Sequence, residues 1–146
     1  MAHYEILDKE FGKEKIFGGT AYISTAMNNY GAIQQITSRA SIKFGPRTKK
    51  NISIANEFYE ICKETEFECD FSDHIELDLW RKYVLIGATA ASTVLFQKPL
   101  GEICATTYGK SLIIEIHEEC KEIVLSKGYD IGIEATNYNL KLITCL

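Results

Sequence analysis

The sequence lacks a basic excess and a long apolar run. Its 146 residues carry a formal net charge of −4. Nucleic-acid-binding proteins usually carry a basic excess, so we expect no nucleic acid as partner. The longest apolar run, residues 83–96, contains Thr89, Ser92 and Thr93 and is shorter than the roughly 20 residues that span a bilayer. No basic segment followed by an apolar one opens the chain, so we expect neither a secretory signal nor a membrane partner.

The sequence also lacks two motifs that would indicate a bound group. Its five cysteines contain no C-x-x-C pair, which argues against a zinc site or a redox motif of that type. These cysteines are Cys62, Cys69, Cys104, Cys120 and Cys145. We expect them to be reduced thiols in a cytoplasmic protein. No G-x-G-x-x-G stretch occurs either, so we expect that the chain alone cannot hold a dinucleotide.

What is present is the composition of a globular protein, 46% apolar and 25% charged. The pattern predicts an α+β fold in which short, mostly antiparallel strands and a helix precede an all-helical segment. Residues 2–12 are predicted to form a surface helix that ends at Gly12. Residues 20–44 alternate between apolar and polar side chains, with turn signals at residues 28–31 and 38–39, which favours antiparallel hairpins. A helix after Asn51 and a strand over residues 67–71 follow.

The second half of the chain is predicted to be helical. Ser72 can cap a long helix that runs to Gln97 and stops before Pro99. One stripe of this helix is expected to face inward, and it comprises Ile75, Leu79, Lys82, Tyr83 and Ile86. The last clear helix covers residues 109–128, and the pattern from residue 131 to residue 146 is irregular. The change of composition near residue 72 predicts a domain boundary.

Lys82 is the residue whose position suggests chemistry. It follows Trp80 and lies on the stripe that is expected to face inward. A lysine that is partly withdrawn from water has its charged form disfavoured, and its pKa falls towards the range that is useful for proton transfer. The alternative, from residues alone, is a lysine that extends from the edge of the helix into water.

Two clusters of possible metal ligands have simpler explanations. His74, Glu76 and Asp78 alternate along a helix and therefore face different ways. His117 and Cys120 are one turn apart, but they supply only two of the three or four ligands that a zinc site needs. We predict no metal site.

A basic loop at residues 47–50 is a weaker candidate for a binding site. Arg47, Lys49 and Lys50 could meet a phosphate, but no Gly-rich cradle adjoins them. A charge cluster in a polar loop is more often solvated, and this is the interpretation that we favour.

Five motifs, taken in order, resemble the ketopantoate reductase (2-dehydropantoate 2-reductase) family. They are F-G-G-T-A-Y-I-S at residues 17–24, F-G at 44–45, S-D-H-I at 72–75, L-W-R-K at 79–82 and K-P-L-G-E-I at 98–103. The resemblance covers residues 5–130.

The resemblance implies a fold, a reaction and a role for Lys82. Residues 1–71 correspond to the C-terminal part of a Rossmann-like NADP-binding domain, and residues 72–146 to the first helices of the C-terminal catalytic and dimerisation domain. Lys82 matches the catalytic lysine that protonates the carbonyl oxygen when the family reduces 2-dehydropantoate to pantoate with NADPH, a step of pantothenate and coenzyme A synthesis. We expect an internal fragment that binds no NADPH and is inactive alone.

The resemblance also bears on substrate and partners. Some family members carry asparagines on the long helix that bind substrate oxygens, whereas Ile86 and Ala90 stand near those positions here. Such a site would lose hydrogen bonds to a polyol-like keto acid. As partners we expect a second copy in a homodimer, or the missing halves of the enzyme. The alternative function is a truncated, non-catalytic interaction module that oligomerises.

Overall fold

Helices and strands mix in the first half of the chain. The computed structural model describes residues 1–144, and these form the α+β fold that the sequence predicts. The elements of the first half are α1 (His3–Phe11), β1 (Phe17–Met27), β2 (Ile33–Pro46), α2 (Ile52–Cys62) and β3 (Glu68–Phe71). Short 3₁₀ turns at Lys13–Lys15 and Lys49–Asn51 precede β1 and α2.

The sheet has three strands in the order β1-β2-β3. β1 and β2 form an antiparallel hairpin whose turn is closed by Asn28, because its side-chain oxygen accepts the amides of Tyr30 at 2.9 Å and Ala32 at 3.0 Å. β2 continues as a strand through residues 38–39, where the sequence predicts a turn. Ile23 of β1 pairs with Ala40 but Thr25 pairs with Gln35, so the register shifts here and β2 carries extra residues that have no partner in β1. β3 pairs with β2 in parallel, from Ser41 opposite Glu68 to Phe44 opposite Phe71.

Helix α2 packs on this sheet through the face that the sequence predicts. Ala55 is 1% exposed on that face. The Phe44 ring meets Phe58 at 4.8 Å and Phe71 at 6.0 Å between centroids, and Tyr59 lies 6.0 Å from Phe71. Aromatic contacts of this kind therefore join α2 to both β2 and β3.

The second half of the chain is helical, as predicted. It contains α3 (Ile75–Phe96), α4 (Leu100–Cys104), α5 (Gly109–Ser126) and α6 (Gly132–Ile143). α3 stops before Pro99, with Gln97 in the left-handed region at φ 52°. The apolar core of this half of the chain includes Ala88, Ile103, Ile113 and Ile143.

The stripe of α3 that faces inward agrees with the predicted one at Ile75, which is 1% exposed, but not beyond it. The buried positions recur every four residues, at Trp80, Val84, Ala88 and Ser92, whereas Tyr83 and Ile86 are 40% and 51% exposed. The prediction was wrong because α3 is apolar on most of its surface, and small residues hold the closest contacts.

The irregular ending predicted for residues 131–146 is also wrong, since Gly132–Ile143 forms α6. Two polar residues, Thr136 and Asn139, occupy buried positions and interrupt the apolar periodicity of this helix. The Thr136 hydroxyl donates to the carbonyl oxygen of Gly132 at 2.9 Å, which satisfies it inside the helix. Residues 145 and 146, Cys145 among them, lie outside the described residues.

The contacts of the chain fall into two compact units. We call Met1–Glu76 the sheet unit, and the part that begins at Leu77 the helical unit. The assignment of residues 1–71 and 72–146 to two domains of a reductase stays a prediction. Among residues 1–144, no helix is both long and apolar enough to cross a membrane.

Candidate functional site

Lys82 lies in the third turn of α3 and is half-buried. Burial lowers the pKa of its ammonium group, because a low-polarity environment disfavours the charged form. This is the direction that the sequence analysis predicted for a lysine suited to donate a proton. The catalytic role of Lys82 itself stays a prediction at this point.

The residues before Lys82 are held firmly within the helical unit. Trp80 is 8% exposed, and its ring lies 5.9 Å from that of Tyr129. Arg81 donates from Nη1 to Asp78 Oδ1 at 3.0 Å and from Nε to the carbonyl oxygen of Ile131 at 3.2 Å. This part of α3 is therefore fixed to the segment between α5 and α6, and the backbone that carries Lys82 is fixed with it.

An apolar surface continues from Lys82 along one side of α3. Ile86 and Ala90 follow it at successive intervals of four residues, and both are exposed. Residues with this spacing share a helix face. The arrangement offers a partly desolvated ammonium group beside a surface with no hydrogen-bonding side chain at these two positions.

The structure separates the acidic residues that precede Lys82. Glu76 accepts a hydrogen bond from Arg47 Nε at 2.9 Å in the sheet unit, and Asp78 pairs with Arg81. His74 is exposed. Within residues 1–144, no group of three or more His, Cys, Asp or Glu side chains is placed to hold a metal ion.

Arg47 is not the solvated loop residue that the sequence suggested. Its side chain is 5% exposed, donates to both carboxylate oxygens of Asp8 and to Glu76, and stacks on Tyr4 at 3.7 Å from the ring centroid. The hydrogen bond from Arg47 holds the pKa of Asp8 below its usual range. Because Arg47 joins α1 to the start of α3 and already meets two carboxylates, it is not free to bind a phosphate.

A small cavity of about 150 Å³ adjoins Arg47 in the sheet unit. Its lining consists of Pro46, Arg47, Thr48, Lys49, Ile52 and Asp73. The hydroxyl of Thr48 is buried and has no hydrogen-bond partner among the described residues. Charges of both signs line the cavity, which gives it no clear preference for an anion.

Sequence reasoning missed how deeply His117 lies in the helical unit. It is 0% exposed, and neither ring nitrogen has a hydrogen-bond partner within residues 1–144. Nδ1 stands 3.5 Å from Glu118 Oε1, and burial lowers the pKa of His117 against the opposing effect of that carboxylate. Its spacing of four residues from Ile113 was the signal that it shares the apolar face of α5.

The glycines of the sheet unit do not form a nucleotide cradle. A Cβ added to Gly18 would lie 2.6 Å from the side chain of Ile75, and one added to Gly45 would lie 2.0 Å from the carbonyl oxygen of Ser72. Their neighbours therefore leave no room for a phosphate at these two glycines.

Comparison with known proteins finds a family match for the second half of the chain. Residues 74–144 match the family described as ketopantoate reductase PanE/ApbA C terminal. An oxidoreductase of Bacillus subtilis (strain 168), named uncharacterized oxidoreductase YkpB, is 37% identical over 108 residues, which cover 74% of this chain and 36% of that protein.

Solved structures share the fold at lower identity. A 2-dehydropantoate 2-reductase from Geobacter metallireducens GS-15 is 20% identical with a TM-score of 0.83, covering 99% of this chain and 48% of that one. A D-mandelate dehydrogenase solved with NADH and anilino(oxo)acetate is 15% identical with a TM-score of 0.82, covering 98% of this chain and 46% of that one. The chain thus spans half or less of the proteins that it matches. Residues 74–144 therefore match the C-terminal domain of the ketopantoate reductase family.

Proposed function

We propose that this chain is part of a ketopantoate reductase-like oxidoreductase and that Lys82 is its proton donor. The observation that carries the proposal is a half-buried lysine of lowered pKa, in the motif L-W-R-K, inside the segment that matches the family. We place the complete enzyme in the cytoplasm.

Lys82 would act on the carbonyl oxygen of a 2-oxo acid. When the carbonyl carbon is reduced, negative charge develops on this oxygen, and a positioned ammonium group stabilises the charge and then delivers a proton. A lowered pKa favours delivery, because a more acidic ammonium group gives up its proton more readily. A positioned proton donor of this kind contributes about 10²- to 10⁴-fold to a rate.

The reductant of the complete family is NADPH, and the residues described here form no phosphate cradle for it. The sequence has no G-x-G-x-x-G stretch, and its own backbone and side chains fill the space at Gly18 and Gly45. We therefore infer that the chain alone binds no NADPH and reduces no keto acid.

The substrate of the complete protein is a 2-oxo acid, and the surface beside Lys82 favours one that is less polar than ketopantoate. Ile86 and Ala90 cannot donate or accept hydrogen bonds through their side chains, so a substrate hydroxyl placed there would lose its partners. The D-mandelate dehydrogenase that shares the fold holds anilino(oxo)acetate, an oxo acid with an aromatic substituent.

Two measurements test the proposal. Fluorescence titration with NADPH, with a full-length ketopantoate reductase as positive control, should show no saturable binding by this chain. NMR titration of the methylated lysines should show Lys82 below the pKa of a free lysine, with Lys82→Arg identifying its signal. Turnover of NADPH by this chain would refute the inactivity, and an ordinary pKa would remove the physical basis of the proton-donor role.

A second candidate function is a non-catalytic module that oligomerises. The outer part of the β1–β2 hairpin exposes large apolar side chains: Ile23, Met27, Tyr30, Ile33 and Ile36 are 52–95% exposed. Exposed apolar groups on an open strand promote association. Light scattering at micromolar concentration should then find a dimer or a larger species. Ile33→Lys should weaken this association, and Ile54→Lys on α2, the control, should not. A monodisperse monomer would contradict this function.

A further inference from the structure

Two cysteines face each other where α2 packs on the sheet. Cys62 is the last residue of α2 and is 4% exposed. Cys69 lies in β3, in register with Ile42 of β2. Along β3, Glu68 and Asp70 are exposed while Cys69 is half-buried, so Cys69 points to the helix side of the sheet. The Cys62 thiol lies near enough to add to the effect of burial, and the two together raise the pKa of Cys69.

The backbone on both sides of this thiol pair is held in place. At the end of α2, the amide and the hydroxyl of Thr65 both donate to the carbonyl oxygen of Cys62, at 3.1 Å and 2.6 Å. Two residues beyond Cys69, the Phe71 ring meets Tyr59 of α2 at 6.0 Å. The packing of α2 against β3 therefore brings together the side of α2 that carries Cys62 and the side of β3 that carries Cys69.

We propose that Cys62 and Cys69 are a redox pair that forms an intramolecular disulfide when the folded protein meets a small disulfide such as oxidised glutathione. Pairing requires that the two side chains point towards each other at short range, which the helix–sheet packing provides. Among the described residues, Cys104 and Cys120 of the helical unit form no disulfide either, and Cys120 packs against Gly87 of α3.

The reaction balances as two successive thiol–disulfide exchanges. The thiolate of Cys69, the more accessible of the pair, attacks one sulfur of glutathione disulfide, whose S–S bond breaks to release one glutathione thiolate. The thiolate of Cys62 then attacks the sulfur of Cys69 and releases the second glutathione. Two protein thiols are oxidised, one glutathione disulfide is reduced, and the two protons lost by the protein are taken up by the two glutathione thiolates.

The environment of Cys69 makes the first step slow at neutral pH. Burial, with the neighbouring Cys62 thiol and the Asp70 carboxylate, raises the pKa of Cys69 to about 11. Only the thiolate attacks, so the rate should rise about tenfold for each pH unit between pH 7 and pH 9. The disulfide is therefore expected to form slowly, and the slowness does not affect its stability once it is made.

The test uses the full chain, incubated with excess oxidised glutathione at pH 8.5 and then alkylated and digested with trypsin without reduction. The expected product joins the peptide of residues 51–63 to that of residues 64–81, with the loss of two hydrogens. Cys69→Ser should abolish this product, and Cys104→Ser, the matched control, should keep it. Circular dichroism checks that each variant is folded.

The oxidised protein should also melt at a temperature a few degrees higher than the reduced one, because a cross-link restricts the unfolded chain. A stable mixed disulfide of Cys69 with glutathione, or a lack of reaction in the folded protein when the same thiols react in urea, would overturn the proposal. Pairing of Cys62 with any other cysteine in the folded protein would overturn it equally.

Discussion

The replacement of Gly45 by alanine should destabilise the sheet unit, because two backbone segments meet at this glycine. Gly45 is buried in β2 opposite Gly18 of β1. An added Cβ would lie 2.0 Å from the carbonyl oxygen of Ser72 and 3.0 Å from its carbonyl carbon. Beside it, the amide of Ser72 donates to the carbonyl oxygen of Phe44 at 2.8 Å. Relief of the clash requires Ser72 to move by roughly 1 Å in a close-packed region, which breaks this hydrogen bond.

The magnitude follows from these contacts. Overpacking of a core costs about 1–3 kcal/mol, and the lost hydrogen bond about 1 kcal/mol more. The alanine also stiffens the unfolded chain, which returns about 0.4–1 kcal/mol. The net loss for Gly45→Ala should be about 1–3.5 kcal/mol. The matched control is Gly19→Ala, where the nearest atom to an added Cβ is Phe44 Cβ at 3.8 Å, so the change should stay within about 0.5 kcal/mol.

Amide hydrogen exchange is the appropriate assay, because it reports on Ser72 directly, whereas the only tryptophan, Trp80, belongs to the helical unit. In Gly45→Ala the Ser72 amide should exchange roughly 5- to 400-fold faster, which is the factor that about 1–3.5 kcal/mol represents. The reasoning is refuted if Gly45→Ala and Gly19→Ala protect this amide equally well.

The helical unit gives two further predictions. Gly109→Ala should lower the urea midpoint of unfolding, because an added Cβ would lie 1.8 Å from a backbone carbonyl oxygen of α4. Gly101→Ala is the control and should leave the midpoint unchanged, because nothing lies within 4 Å of its added Cβ. Trp80 fluorescence follows the unfolding. Because burial lowers the pKa of His117 in the folded protein, stability should be complete above the unfolded-state pKa of about 6.5 and fall below it by up to about 1.4 kcal/mol per pH unit. His117→Leu should remove this slope, and the exposed His74→Leu should not; equal slopes in both would contradict the assignment.

Local signals in the sequence predicted the elements that local chemistry controls. Gly12 ends α1 at φ 87°, as expected for a residue without a Cβ. Asn28 closes the hairpin turn through its own side chain, and Pro99 follows the end of α3. These features depend on residues within a few positions of each other, so the sequence alone was sufficient to predict them.

Features that depend on distant contacts were not predictable in this way. Arg47 and Asp8 are 39 residues apart in sequence, and nothing in the basic loop indicates that its arginine is buried between two carboxylates. Helix α6 was missed because Thr136 and Asn139 are buried where an apolar residue was expected. In both cases the tertiary packing, which local pattern does not reveal, determined the outcome.

The surfaces of α3 show why packing and chemistry need not compete on this helix. Ala88 and Ser92, both 0% exposed, are small enough for close contact with neighbouring helices, and a Cβ added to Gly87 would already touch the sulfur of Cys120 at 3.3 Å. This tight contact fixes the helix from one side. The buried positions of α3 recur every four residues, and Lys82 and Ile86 each lie two residues from the nearest of them. A step of two residues turns a side chain to a different side of a helix. If Lys82 is the proton donor that we propose, its position on a side of α3 other than the packed one lets it meet a ligand without loss of core packing.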